Sequence, residues 1–258
     1  MISSYKIDLL SVRTFKTRQI MGIVAATQTA ERIRNLLKSN DSISIIFAAA
    51  PSQSEFLDAL SVQQDIDWGK ITAFHMDEYV GLSADAPQGF GNFLRRSIFS
   101  KVPFKAVYYL NGNAPNLELE CKRYGDLLDE YQPEIVCMGI GENTHIAFND
   151  PHVADLNDPQ RVKVVDLDLQ CRQQQVNDGC FDSIGEVPTH ALTLTVPTLL
   201  RPESVFCIVP GKNKSQAVFH TLTQAISAKY PSTALRNHPN AILFLDKHSA
   251  AKTDYSNG

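Results

Sequence analysis

At 258 residues with 43% hydrophobic content, the chain is long enough to bury a sizeable core and too apolar for intrinsic disorder. A formal net charge of −4 and the absence of a Lys/Arg cluster exclude the basic footprint of a nucleic-acid-binding protein, so any anionic ligand has to be held by a local pocket. The five cysteines (Cys121, Cys137, Cys171, Cys180 and Cys207) form no Cys-x-x-Cys pair, and Met1–Met21 carries no signal-peptide pattern. They read as reduced, packed thiols of a cytoplasmic protein, and the apolar runs fall far short of a membrane span.

In chain order, Ser3–Val12 reads as a strand, and Thr14–Leu37 carries apolar residues at helical spacing before the polar Lys38-Ser39-Asn40-Asp41 stop. Ser44–Ala50 is a buried strand broken by Pro51, with a helix over Ser54–Leu60 that begins near Ser52. Further strands are expected at Ile71–Phe74, Ala106–Leu110, Ile135–Met138, Val162–Val165, Ala191–Val196, Val205–Val209 and Ala241–Leu245. Helices are expected at Asn92–Phe99, Leu117–Tyr131, Gln170–Asn177 and Lys214–Ala228. Such alternation predicts an α/β fold, a Rossmann-like open and mostly parallel sheet covered by helices on both faces. One domain over residues 1–258 is expected, with a loosely held tail at 247–258 and a polar loop or lid at Pro151–Arg161.

Two segments carry the chemistry. Gly139-Ile140-Gly141-Glu142-Asn143-Thr144-His145-Ile146-Ala147-Phe148-Asn149-Asp150-Pro151 follows the apolar run Ile135–Met138, as a buried strand would open into a ligand-binding loop. His145 can accept and donate protons near neutrality, and Asp150 is close enough in sequence to polarise it. Phe74-His75-Met76-Asp77-Glu78-Tyr79-Val80-Gly81-Leu82 repeats the design with paired carboxylates. The bland alternatives are a loop histidine that satisfies backbone groups and an Asp77 that caps a helix or pairs with a cation. His75, His190 and His238 read as packed or capping, His152 as part of the lid, and Phe90, Phe93 and Phe99 as core.

These two segments, with Leu110-Asn111-Gly112-Asn113-Ala114-Pro115 between them, resemble the glucosamine-6-phosphate deaminases of the glucosamine/galactosamine-6-phosphate isomerase family, from about Ile43 to Asp246. The resemblance implies ring opening of an amino-sugar phosphate, proton transfer between C2 and C1 and hydrolysis of the resulting imine, giving fructose 6-phosphate and ammonia without a metal or other cofactor. It implies Asp77 as the carbon base, with Glu78 orienting it or touching a sugar hydroxyl, and His145 supported by Asn143 and Asp150 for ring opening. Ser52 and Gln53 at the start of a helix, with Lys214, are the implied phosphate ligands, Lys212 being the solvated alternative to Lys214 and an N-cap the alternative for Ser52. Arg172 is carried over as the phosphate arginine, although Gln174 holds the aligned place. The sequence departs from the commoner pattern in having Asn143 for Asp, Asp150 for Glu and Thr144 for Gly. The amide at 143 can fix an imidazole tautomer but supports imidazolium less than a carboxylate, and glycine before the histidine suggests a positive φ that a β-branched residue resists. The alternatives are 6-phosphogluconolactonase and a catalytically idle sugar-phosphate-binding protein. Neither the epimer nor the oligomeric state is legible, and a homo-oligomer is left open.

Overall fold

The computed structural model describes residues 1–253. Its frame is an eight-stranded sheet in the order β1-β2-β11-β10-β7-β3-β4-β6, built from β1 (Ser3–Ile7), β2 (Leu10–Phe15), β3 (Ile43–Phe47), β4 (Ile71–His75), β6 (Ala106–Tyr108), β7 (Ile135–Met138), β10 (Ser204–Val209) and β11 (Ala241–Asp246). Every pairing is parallel except the β1–β2 hairpin. The single strand expected over Ser3–Val12 is therefore two, because the chain reverses at Asp8, whose φ is +51°.

Both faces of the sheet's central strands β3, β4, β7 and β10 are buried, which explains why these read as largely apolar runs. Along β7, Ile135 and Cys137 face one core and Val136 and Met138 the other; along β10, Phe206 and Ile208 alternate with Val205, Cys207 and Val209. Helices α1 (Arg18–Leu36) and α2 (Ser54–Ser61) bring Met21, Ala25, Ile33, Phe56 and Leu60 to the first core. On the other face, α4 (Leu117–Tyr131) and α7 (Ser215–Thr223) contribute Tyr124, Leu128, Ala217, Val218 and Leu222. The Thr17 side chain accepts from Ile20 N and so fixes the start of α1.

The strands β5 (Asp77–Tyr79), β8 (Val162–Asp166) and β9 (His190–Leu194) form a separate three-stranded antiparallel sheet in the order β5-β9-β8, not part of the parallel sheet as the sequence alternation suggests. Met76 alone separates β4 from β5, and its carbonyl accepts from Leu194 N at 2.8 Å. The remaining helices are α3 (Phe90–Leu94), which runs into a π-helical turn at Arg95–Phe99, α5 (Leu169–Asn177) and α6 (Val196–Leu199). Helix α7 stops at Thr223, short of the expected Ala228. Residues 247–253, expected to be loose, turn back on the sheet. Asp246 Oδ1 accepts from Ser249 N at 2.7 Å and from His248 N at 3.1 Å, and Ser249 is fully buried. The rest of that tail, 254–258, lies outside the described residues.

Candidate functional site

In the large sheet the chain winds from β3 outward through β4 to β6, then returns to β7 and proceeds outward the other way to β10 and β11. The reversal leaves a crevice beyond the carboxyl ends of β3 and β7, the place where open parallel sheets bind ligands. The segments after four strands line it: Ala48–Gln53 after β3, Met76 and Asp77 after β4, Gly139–Gly141 and His145 after β7, and Lys214 after β10.

Asp77, the first residue of β5, is buried on the crevice wall. Burial, and then the neighbouring charge of Glu78, push its carboxyl well above the usual range. Glu78 itself is corrected. As the next residue along a strand it points to the opposite face, where its carboxylate accepts from Tyr79 N, Phe90 N and Gly91 N at 2.9, 3.0 and 2.9 Å. It holds the amino terminus of α3 and does not line the crevice.

The loop after β7 is tied at several points. Thr144 N donates to Gly141 O and Gly141 N to His145 O, while Asn149 Nδ2 donates to Leu194 O at 2.8 Å and Phe148 N to Thr193 Oγ1 at 3.0 Å. Gly141 has to be glycine, since a Cβ there would lie 2.1 Å from His145 Nε2. Thr144 takes the left-handed conformation, φ +75°, with its hydroxyl buried and unbonded, as the glycine of the commoner pattern suggests.

His145 lines the crevice, with Nδ1 2.9 Å from Asp150 Oδ1. Burial raises the Asp150 carboxyl, but the His145 and Asn143 contacts outweigh it and hold the group below the usual carboxylate range. An ionised Asp150 favours the proton on Nδ1, which leaves Nε2 with a lone pair. Asn143 is corrected in one respect: it does not reach the imidazole. Its Oδ1 accepts from His145 N at 3.1 Å, and its Nδ2 donates to Asp150 Oδ1 at 2.9 Å and to Asp168 Oδ2 at 3.1 Å. Asn143 and Asp150 stand behind the histidine rather than on the crevice wall.

Also on the crevice wall, Gln53 is buried and donates to Ile208 O at 3.0 Å and to Ser52 Oγ at 3.3 Å, which orients the hydroxyl. Lys214 is buried and Lys212 exposed. Burial lowers the Lys214 ammonium pKa, and the charges of Asp178 and Glu142 oppose that shift. Arg172 is corrected: its guanidinium donates to Ile184 O at 2.6 Å and to Val187 O at 2.8 Å, and it does not line the crevice. Gln174, Gln175 and Asp178 line the crevice instead. Of these, sequence reasoning reached only Gln174, by alignment. The segment 151–161, expected as a lid, contributes nothing to the wall, and His152 pairs with Asp166 at 2.9 Å. His75 and His238 are buried and packed; His190 is exposed beside Thr189.

Among the described residues, His145, Asp150 and Cys171 bring ligand atoms within 4.8 Å of one another, as do Asp150, His152 and Asp168. The His145–Asp150 contact at hydrogen-bonding distance makes an acid–base pair the simpler use of the first set.

Residues 16–244 match the family model described as glucosamine-6-phosphate isomerases/6-phosphogluconolactonase. The chain belongs to this family. Among its relatives, the glucosamine-6-phosphate deaminase of Listeria monocytogenes serotype 4a (strain HCC23) is 30% identical over 213 residues, 83% of this chain and 89% of that one. That of Exiguobacterium sp. (strain ATCC BAA-1283 / AT1b) is 33% identical over 190 residues, 74% of this chain and 73% of that one. A solved structure of a monomeric glucosamine-6-phosphate deaminase superposes with a TM-score of 0.85 at 29% identity, covering 93% of this chain and 99% of that one. The 6-phosphogluconolactonase of Thermotoga maritima, at 20% identity and a TM-score of 0.72 over 92% of this chain and 100% of that one, shares the fold. The family's α/β architecture is the one described above. No helix among the described residues is long and apolar enough to cross a membrane.

Proposed function

We propose that this protein is a cytoplasmic glucosamine-6-phosphate deaminase, converting glucosamine 6-phosphate and water to fructose 6-phosphate and ammonia. The observation that carries the reading is one crevice lined by a buried carboxylate, Asp77, by His145 with Asp150 behind it, by a buried ammonium, Lys214, and by Ser52.

In this reading Lys214, the Ser52 hydroxyl and the backbone amides after β3 hold the phosphate, which places the sugar along the crevice. Nε2 of His145 takes the proton from the anomeric hydroxyl and returns one to the ring oxygen, opening the ring. Asp150 steadies the imidazolium formed between those steps. Asp77 removes the C2 proton and delivers it to C1, and its raised pKa lets it hold that proton between the two positions. The amine becomes a C2 imine, water adds to it, and ammonia leaves to give the ketose. The proton transfers of ring opening and the C2-to-C1 shift are assigned to side chains, and full activity is expected after exhaustive chelation.

The test is ammonia and fructose 6-phosphate release from glucosamine 6-phosphate, with Asp77→Asn as control. That variant should bind the sugar phosphate but neither exchange the C2 proton with solvent nor release ammonia. Hydrolysis of 6-phosphogluconolactone with no ammonia from the amino sugar would overturn the assignment in favour of the family's other named activity.

A further inference from the structure

Behind His145 lies a polar cluster larger than an acid–base pair requires. Asn143 Nδ2 has two protons and two carboxylate acceptors, Asp150 Oδ1 at 2.9 Å and Asp168 Oδ2 at 3.1 Å. Its carbonyl oxygen accepts from His145 N at 3.1 Å. Each atom of the amide is thereby committed, and the group can point only one way. Asp168 also acts through its backbone, donating its N–H to Asp150 Oδ2 at 3.3 Å, and its other oxygen caps the start of α5 at Cys171 N. Asp168 therefore touches the amide, the Asp150 carboxylate and a helix that lines the crevice, yet lies off the crevice wall.

We propose that Asp168 is a positioning residue for ring opening. It acts through Asn143 to hold Asp150 and the imidazole of His145 in register; this rests on the deaminase reading of the same site. With only Asp150 as acceptor, one proton of the amide would be unclaimed and the amide free to turn, releasing His145 N as well. The second carboxylate removes that freedom. It also accounts for an amide at 143, because an ionised carboxylate there would face two others without a proton between them.

Asp168→Asn is the informative change. Asparagine caps a helix as well as aspartate, so α5 keeps its start. With its single side-chain oxygen on Cys171 N, the new amide turns its NH2 toward Asn143 and opposes donor to donor. The expected result is a fall in kcat of about tenfold or more, the scale of one coupling between neighbouring groups, with KM unchanged because residue 168 does not reach the crevice. If the effect runs through the amide, Asp168→Asn in an Asn143→Ala background lowers kcat no further. A wild-type kcat in Asp168→Asn, or a double variant whose loss is the product of the two single losses, overturns the proposal. Should the wild-type protein release no ammonia from glucosamine 6-phosphate, the deaminase reading falls, and the 15N chemical shifts of the His145 ring decide the relay. A changed tautomer signature in both single variants supports it, and unchanged shifts in both overturn it.

Discussion

His75 should make the protein acid-sensitive by an amount that can be isolated. The ring is fully buried and Nε2 accepts from Leu110 N at 2.8 Å, while its backbone is gripped by Tyr124, whose hydroxyl donates to His75 O and accepts from His75 N. Desolvation lowers its pKa from 6.5 to about 4, so the folded state holds the ring neutral where the unfolded chain would protonate it. The stability this contributes is intact above pH 6.5 and is lost as pH falls from 6.5 toward 4. Integrated over that gap at about 1.36 kcal/mol per unit, the loss is about 3 kcal/mol, of which about 2 kcal/mol is gone by pH 5. Against a total stability on the order of 5–15 kcal/mol this is a large share. Asp77 and Glu78, whose raised pKa values have burial as their first cause, change stability in the opposite sense as pH falls. A difference experiment is therefore needed. The His75→Gln side chain keeps an acceptor for Leu110 N and cannot ionise, so urea midpoints of wild type and His75→Gln, measured from pH 7.5 to 4, should differ in slope. Wild type should lose about 1 M more of its midpoint over that range. Parallel pH profiles for the two proteins would refute the argument.

Lys214→Gln should raise KM for glucosamine 6-phosphate and lower kcat/KM by about ten- to a hundredfold, the worth of one charge-assisted hydrogen bond; equal turnover of unphosphorylated glucosamine by both proteins alongside an unchanged KM would place the phosphate elsewhere. Glu78→Gln should move the acidic limb of the kcat/KM profile to lower pH, because it withdraws a negative neighbour that helps hold the Asp77 carboxyl up; a fixed limb would mean that Asp77 ionisation is not what the limb reports. At Thr144, φ +75° should invert the ordinary order of glycine and alanine: Thr144→Gly is expected to be the more stable by about 1 kcal/mol, since alanine keeps the left-handed strain, and thermal melts of the two variants check it.

Much of the site was legible because its residues stand in short loops directly after strands of the parallel sheet. The end of β7 was enough to point to His145; Ser52 and Lys214 came from the family resemblance, and the residues after β3 and β10 do line the same crevice. What was lost depended on pairing or on a face. Strand β5 is three residues long, too short to announce itself, and without it nothing showed that Asp77 and Glu78 must point oppositely. Strands β8 and β9 read correctly as strands, but which sheet a strand joins is decided by contacts remote in sequence. Arg172 and Gln174 are two positions apart on α5, but Gln175, three from Arg172, also lines the crevice; what takes the guanidinium away is the pair of carbonyls of Ile184 and Val187, beyond the end of the helix. Asp168 was not singled out in the sequence, because its contact with Asn143 joins residues 25 positions apart.

The passage from β4 to β5 has no slack. One residue, Met76, carries the chain from the large sheet to the small one. An insertion or deletion there would reverse the two faces of β5, sending residue 77 toward α3 and its neighbour toward the crevice. The polar segment 155–158, which lines no part of the site, can gain or lose residues without that penalty. Chain length between His75 and Tyr79 is thus as strict a requirement of this site as the identity of its acids, and a homologue altered in spacing there would turn the residue-77 carboxylate out of the crevice even with every side chain retained.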